Sequence, residues 1–157
     1  MKEILELIFL TLLPFLELRA SIPFGVFSTS LSLPTIFLVA VISNIVLAPI
    51  AYFFFDKVIH LFLHINFVSK FYHKKVEKIQ QKIHPLVEKY GFWGLALFIG
   101  VPLPGSGVYS GALAAYLLDM PKKDFYKAAV VGVLIAGVAV LLVSVSGNET
   151  LQFMLKK

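Results

Sequence analysis

The sequence has no cysteine, a single arginine (Arg19) and nine acidic residues in 157 positions. Without cysteine there is no disulfide framework and no thiol chemistry. The charges that do occur are confined to a few stretches. No Asp, Glu, Lys or Arg lies from Ala20 to Phe55, from Tyr90 to Leu118 or from Ala128 to Asn148, runs of 36, 29 and 21 residues. A membrane-spanning helix needs about 20 apolar residues. Hydrophobic residues make up 59% of the chain, more than a single aqueous core of this size can enclose. These patterns predict an all-α integral membrane protein forming one domain, residues 1–157. The net charge of +5 then reports orientation and contact with anionic lipid, with no role in nucleic-acid binding. The N-terminus is not expected to be a cleavable leader: Glu3 and Glu6 stand where such a segment is basic, and no small-residue cleavage site follows.

Proline is the punctuation of this chain. Residues 4–13 are apolar and helical in character until Pro14. The stretch PFLELRASIPFG, residues 14–25, has prolines near both ends with Glu17 and Arg19 inside. Residues 26–31 resume a short apolar arm. Pro34, with Ser32 as candidate cap, suits the first turn of a long helix. That helix is expected to run to about His64, kinked at Pro49. Residues 66–90 carry six lysines, from Lys70 to Lys89, around an apolar stripe at 76, 79, 83, 86 and 90. This reads as a basic amphipathic helix lying on an anionic membrane surface. The first pattern then recurs: an arm at 92–101, the break PLPGSG at 102–107, a second arm at 108–118, and Pro121 opening a final helix to about Gly147, with Asp119 as a candidate cap.

Pro14 to Pro34 is 20 residues and Pro102 to Pro121 is 19. Two similarly interrupted segments in corresponding halves point to a transporter. The expected architecture is two re-entrant helical hairpins plus two long transmembrane helices in an inverted repeat. Residues 1–64 form the first repeat, 65–90 the amphipathic connector and 91–147 the second repeat. With two full crossings, the side holding 57–90 and 119–127 carries ten of the fourteen Lys and Arg residues and is cytoplasmic. With four crossings the count on the side of the 57–90 loop is also ten, so charge alone does not choose. Unsatisfied backbone at mid-bilayer argues against four.

Glu17 and Arg19 lead the candidate site, because an ionisable group at membrane depth is a functional hypothesis by default. Two apart in a broken segment, they point in different directions and need not pair with each other. Glu17 is placed to bind and release a proton, or to help hold Na⁺. The planar fork of Arg19 suits an anionic head group. Ser21 and Pro23 belong to the same break. In the second break, Pro102 and Pro104 fix the turn, Gly105 and Gly107 allow close approach, and Ser106, Tyr109 and Ser110 add hydroxyls. The amides opening the following arm offer the partial positive charge of a helix N-terminus, suited to phosphate or carboxylate. Asn44 either bonds a neighbouring helix or faces the substrate path.

Gly107, Gly111 and Ala115, like Ala128, Gly132 and Ala136, recur every four residues as packing stripes. Asp56, His60 and His64 share a helical face, read as interfacial anchoring with no metal. No nucleophile–base pair stands out, and no enzymatic activity is expected.

ELRASIP (Glu17 to Pro23) and VPLPGSGVYSGALAA (Val101 to Ala115) resemble the small multidrug export family of short prokaryotic membrane proteins, over nearly the whole chain. That family in turn resembles the DedA/VTT superfamily. The resemblance implies paired re-entrant hairpins around a central site, with Glu17 as the acid of the first and Pro104–Gly105 as the Pro-Gly of the second. It also implies movement of lipids such as polyprenyl phosphate, with proton or sodium dependence. DedA proteins bring basic residues to the second hairpin; this chain has none between Lys89 and Lys122, so either Arg19 supplies the anion contact alone or the substrate differs.

The expected function is therefore a multi-pass transporter of the prokaryotic plasma membrane, in contact with membrane lipid and forming a homo-oligomer. It would move an anionic lipid such as polyprenyl phosphate, as a flippase or scramblase, with H⁺ or Na⁺ as coupling ion. Two alternatives stand beside it: a proton- or sodium-coupled exporter of small cationic compounds, and a non-transporting membrane scaffold.

Overall fold

A computed structural model describes residues 1–14, 16–58, 84–85, 87–103 and 105–155. Most of the expected basic connector, and with it His60, His64 and His73, lies outside the described residues, as does Pro104. The described residues are helical throughout, with no strand. Six α-helices follow one another: α1 (Lys2–Leu12), α2 (Glu17–Ser28), α3 (Leu33–Phe53), α4 (Phe92–Gly100), α5 (Val108–Leu117) and α6 (Lys122–Leu155).

The prolines act where the sequence places them. Pro14 falls between α1 and α2, Pro34 in the first turn of α3, and Pro121 immediately before α6. Ser32 takes the N-cap position of α3, but its hydroxyl pairs with that of Thr35 at 2.8 Å instead of a backbone amide. Boundaries differ from expectation in three places: α2 already begins at Glu17 and carries Pro23 inside it, within the break expected over residues 14–25; α6 runs past Gly147 to Leu155; and α3 changes at its end. The α-helical part of α3 stops at Phe53 and continues as a π-helical turn, Phe54–Val58. Pro49 sits inside α3 and has no N–H to give the carbonyl four residues before it, which loosens the helix just ahead of that turn.

Helices α1 and α2 form a hairpin. Glu3 at the start of α1 accepts hydrogen bonds from the backbone N–H and the hydroxyl of Ser30, just past α2, at 3.3 and 3.2–3.3 Å. The buried hydroxyls of Thr11 and Ser21 pair at 2.7 Å within it. Helices α4 and α5 meet through Ile99, on which Gly111 packs so closely that a Cβ would come within 2.6 Å of its side chain. Gly132 does the same for α6 against α4, with 2.7 Å from a Cβ to the Ala96 carbonyl oxygen. The small residues at 111 and 132 thus act as packing positions, as their spacing predicts.

The two long helices run in opposite directions. Asp56, past the end of α3, reaches Lys122 at the start of α6 (3.5 Å), while Gly147 of α6 lies beside Phe27 near the end of α2. Helix α2 packs on both α3 and α6, and so does α5. Leu33–Lys57 and Lys122–Gly147 are long and apolar enough to cross a membrane. Their outer faces are apolar too: Leu38, Ile42, Val46 and Ile50 on α3, and Leu134, Val138 and Leu142 on α6, stand exposed. A soluble helix buries such a stripe; here hydrocarbon is the solvent that suits it.

Candidate functional site

The hairpin tips meet beside the middle of α3. Helix α2 opens at Glu17, whose backbone takes a left-handed φ of 48° as the chain turns back after Pro14. A non-glycine residue there costs about 1–2 kcal/mol. The same turn carries the side chain inward, to 2% exposure, against the N-terminus of α5.

Four donors converge on the Glu17 carboxylate. Oε2 accepts from the Val108 amide at 3.1 Å and from Asn44 Nδ2 at 3.4 Å, and Oε1 accepts from the Tyr109 amide at 3.3 Å. Arg19 Nη1 donates to Oε2 at 3.5 Å. The two charges therefore pair, against the expectation that a broken segment separates them. The reason is that helix α2 already includes both residues, and the left-handed residue at its start turns the Glu17 side chain back across it. The amides expected to receive an external anion are occupied from inside by Glu17, which complements the partial positive charge of the α5 terminus.

Arg19 ties the pair to the second tip. Its Nη2 donates to the carbonyls of Ile99 (3.3 Å) and Val101 (3.1 Å) and to the Ser106 hydroxyl (3.0 Å). Ser106 contacts the Val101 and Leu103 carbonyls at 2.6 and 2.9 Å, which closes the tip on itself. Nε of Arg19 is buried and unpartnered. The Tyr109 hydroxyl reaches the Leu12 carbonyl at 2.7 Å, joining the second tip to the end of α1.

Gly107 makes the closeness possible. At φ 127°, a Cβ would stand 2.5 Å from Arg19 Nη1 and 2.6 Å from Glu17 Oε2. Of its two expected roles, close approach in the break and packing in a four-residue stripe, the first describes it: its neighbours are the charged pair. Gly105 has φ 83° with open space around it, so it serves the turn alone.

Beside the pair lies a groove of about 270 Å³ between α2 and α6, lined by Arg19, Pro23, Pro102, Ala139, Val140 and Ser144 with Val143. Its walls are apolar and Arg19 is its one charged group. Pro23 and Pro102, singled out from the sequence, lie on this groove; its α6 wall was not anticipated. Ser144, buried and donating to the Val140 carbonyl at 2.7 Å, was the available signal, a polar residue within the last charge-free run. Ser110 is half-buried on α5 and takes no part in these bonds. Ser21 bonds Thr11 and supports the first hairpin.

Residues 17–139 match the family described as "Putative small multi-drug export protein". The chain belongs to that family. The matched span begins at Glu17 and takes in Arg19, Asn44, both lips of the tip junction and the first groove residue of α6, Ala139. No curated protein and no solved structure matches the chain. The family description and the two long apolar helices together make this a membrane protein of export or transport type. Among the described residues no cluster of His, Asp and Glu is arranged to hold a metal.

Proposed function

We propose that this family member moves an amphipathic substrate with an anionic head, such as polyprenyl phosphate, across the bilayer. The observation that carries the reading is the groove: Arg19 as its one charged lining residue and apolar walls along the rest. Arg19 and the hydroxyls of Ser106 and Ser144 would meet the head, and lipid-facing α2 and α6 the chain. Glu17 would act as the latch. Ionised, it accepts from four donors, of which the Val108 and Tyr109 amides belong to the second tip; protonated, it loses the charge that all four favour, and the tips can part. Of the four groups bonded to the carboxylate, three are donors only and Asn44 alone also offers an oxygen, too few oxygen ligands for Na⁺, so this reading takes a proton as coupling ion.

The arms α1, α2, α4 and α5 hold 11, 12, 9 and 10 residues. At 1.5 Å per residue each reaches about 13–18 Å, roughly half the hydrocarbon thickness. These lengths support re-entrant hairpins entering from opposite sides in an inverted repeat; the lysines of the loop 57–90 favour a cytoplasmic place for it. Cysteines introduced one at a time into this cysteine-free chain test it. Lys2→Cys and Ser30→Cys are expected to label from one side, and Gly91→Cys and Asp119→Cys from the other; labelling of 2 and 30 from opposite sides would overturn the hairpin.

A second reading is a proton-coupled exporter of small cationic compounds, favoured by the family description and by a buried acid. Reconstituted liposomes separate the two. The lipid reading predicts movement of labelled polyprenyl phosphate, reduced at least about tenfold in Arg19→Ala, the loss of one charged contact. The exporter reading predicts efflux of a cationic dye that survives Arg19→Ala and fails in Glu17→Gln. Tolerance of both substitutions, with failure only when lysines 70–82 are neutralised, would indicate a scaffold.

A further inference from the structure

We propose that Asn44 is a positioning residue for Glu17, donating from Nδ2 to the ionised carboxylate and, after half a turn of its amide, accepting on Oδ1 the proton of the neutral acid. The inference rests on the reading of Glu17 as a proton-binding latch. Asn44 lies 1% exposed near the middle of the span Leu33–Lys57. Its Nδ2 donates to Glu17 Oε2 at 3.4 Å, while its Oδ1 is buried with no partner. A buried acceptor left unpaired is uncommon and costly. Its presence beside an acid is accounted for if it is used in a second state.

The other three neighbours cannot fill that role. The amides of Val108 and Tyr109 and the guanidinium of Arg19 are donors whatever the charge on Glu17. A carboxylate only accepts, but a protonated carboxyl must also donate. Asn44 alone among the four offers a donor and an acceptor on ends of nearly equal shape, so the exchange needs no repacking. The proton comes from water, forms one O–H bond on Glu17 and leaves by the reverse step; no other bond is made.

The electrostatic surroundings are simple. Arg19 on α2 is the charged neighbour, and Tyr109 on α5 the titratable one, its hydroxyl held by the Leu12 carbonyl. Residues 7–14 of the first arm, 92–100 of α4 and 128–147 of α6 contain no Asp, Glu, Lys, Arg or His. Asp56 is at the far end of α3, paired with Lys57 and Lys122. The response to pH at this point of the molecule therefore belongs to Glu17 and the groups just named.

Infrared difference spectra of the full chain in phosphatidylethanolamine–phosphatidylglycerol nanodiscs, acid minus alkaline, test the inference when asparagine is isotopically labelled at its side-chain carbonyl. The expected result is a protonated-carboxyl band that disappears in Glu17→Gln, together with a downshift of an asparagine carbonyl band that is missing from Asn44→Asp. A carboxyl band with no asparagine change overturns the role of Asn44 and leaves Glu17 as the proton site. The absence of any Glu17-dependent carboxyl band overturns the latch reading itself. Transport gives the second readout. Asn44→Asp keeps the acceptor, loses the donor and adds negative charge, so transport should shift to higher pH by about one unit or more. Asn44→Leu, lacking both, should slow transport at every pH. An Asn44→Asp profile that coincides with the parent's overturns the inference.

Discussion

Glu17→Ala is expected to unlatch the two hairpins and to lower stability by about 3–5 kcal/mol, the usual loss when one member of a buried ion pair is removed. The change does more than delete an attraction. It strips an acceptor from the Val108 and Tyr109 amides and from Asn44 Nδ2, and it leaves Arg19 with a buried charge and an Nε already unpartnered. Glu17→Gln should cost less, about 1–3 kcal/mol, because one amide oxygen still accepts while its NH₂ faces donors. Equilibrium unfolding in mixed micelles at two salt concentrations checks both. A buried pair is screened little by salt, so the gap between parent and Glu17→Ala should persist at high ionic strength. A loss below about 1 kcal/mol, or one that vanishes with salt as for a surface pair, would mean that apolar packing holds the tips.

Much of the architecture was written in the prolines and in the charge-free runs. Pro14, Pro34, Pro102 and Pro121 punctuate the helices because proline lacks the N–H of an interior position, a local preference that packing overrides at Pro23 in α2 and Pro49 in α3. The composition of the membrane core is local as well: absent charge needs no tertiary context to be read. What was not legible is how distant pieces meet. The sequence pattern treats Glu17 and Arg19 as side chains of an irregular segment, whereas the left-handed Glu17 opens α2 and turns its carboxylate to Val108, 91 positions away. Asn44 was visible as an anomaly in an apolar helix, but its partner was not. The α6 wall of the groove, Ala139, Val140 and Val143, carries no signal that separates it from any lipid-facing stretch.

This geometry also changes what the second break contributes. A helix N-terminus with free amides would have been a ready anion site. Filled by Glu17, it becomes a receptor for the chain's own carboxylate. Under the proposed function, the strength of such a joint depends on a charge that a single proton removes, which makes the tip contact the switchable element. In that reading anion binding falls to Arg19, whose Nη1 meets Glu17, whose Nη2 meets the carbonyls of Ile99 and Val101, and whose buried Nε has no partner.

Gly107→Ala provides the sharpest test of that joint, because it attacks closeness without removing a charge. The added methyl would sit 2.5 Å from Arg19 Nη1 and 2.6 and 2.8 Å from the Glu17 oxygens, on a backbone at φ 127°. Overpacking of this kind costs about 1–3 kcal/mol, and the backbone strain adds about 1–3 kcal/mol. Together these should prevent closure of the tips and abolish coupled transport. Gly105→Ala is the control: it carries a positive φ of 83° but has nothing within 4 Å of a Cβ, so it should suffer the backbone cost alone and keep transport. The double variant Gly107→Ala/Glu17→Ala completes the cycle. If the methyl harms the protein by displacing the charged pair, its cost should shrink once Glu17 is gone, giving a coupling of about 0.5–3 kcal/mol. Strict additivity would put the damage in the backbone of the turn, and the tip contact would then be a neighbour of Gly107 and not its reason.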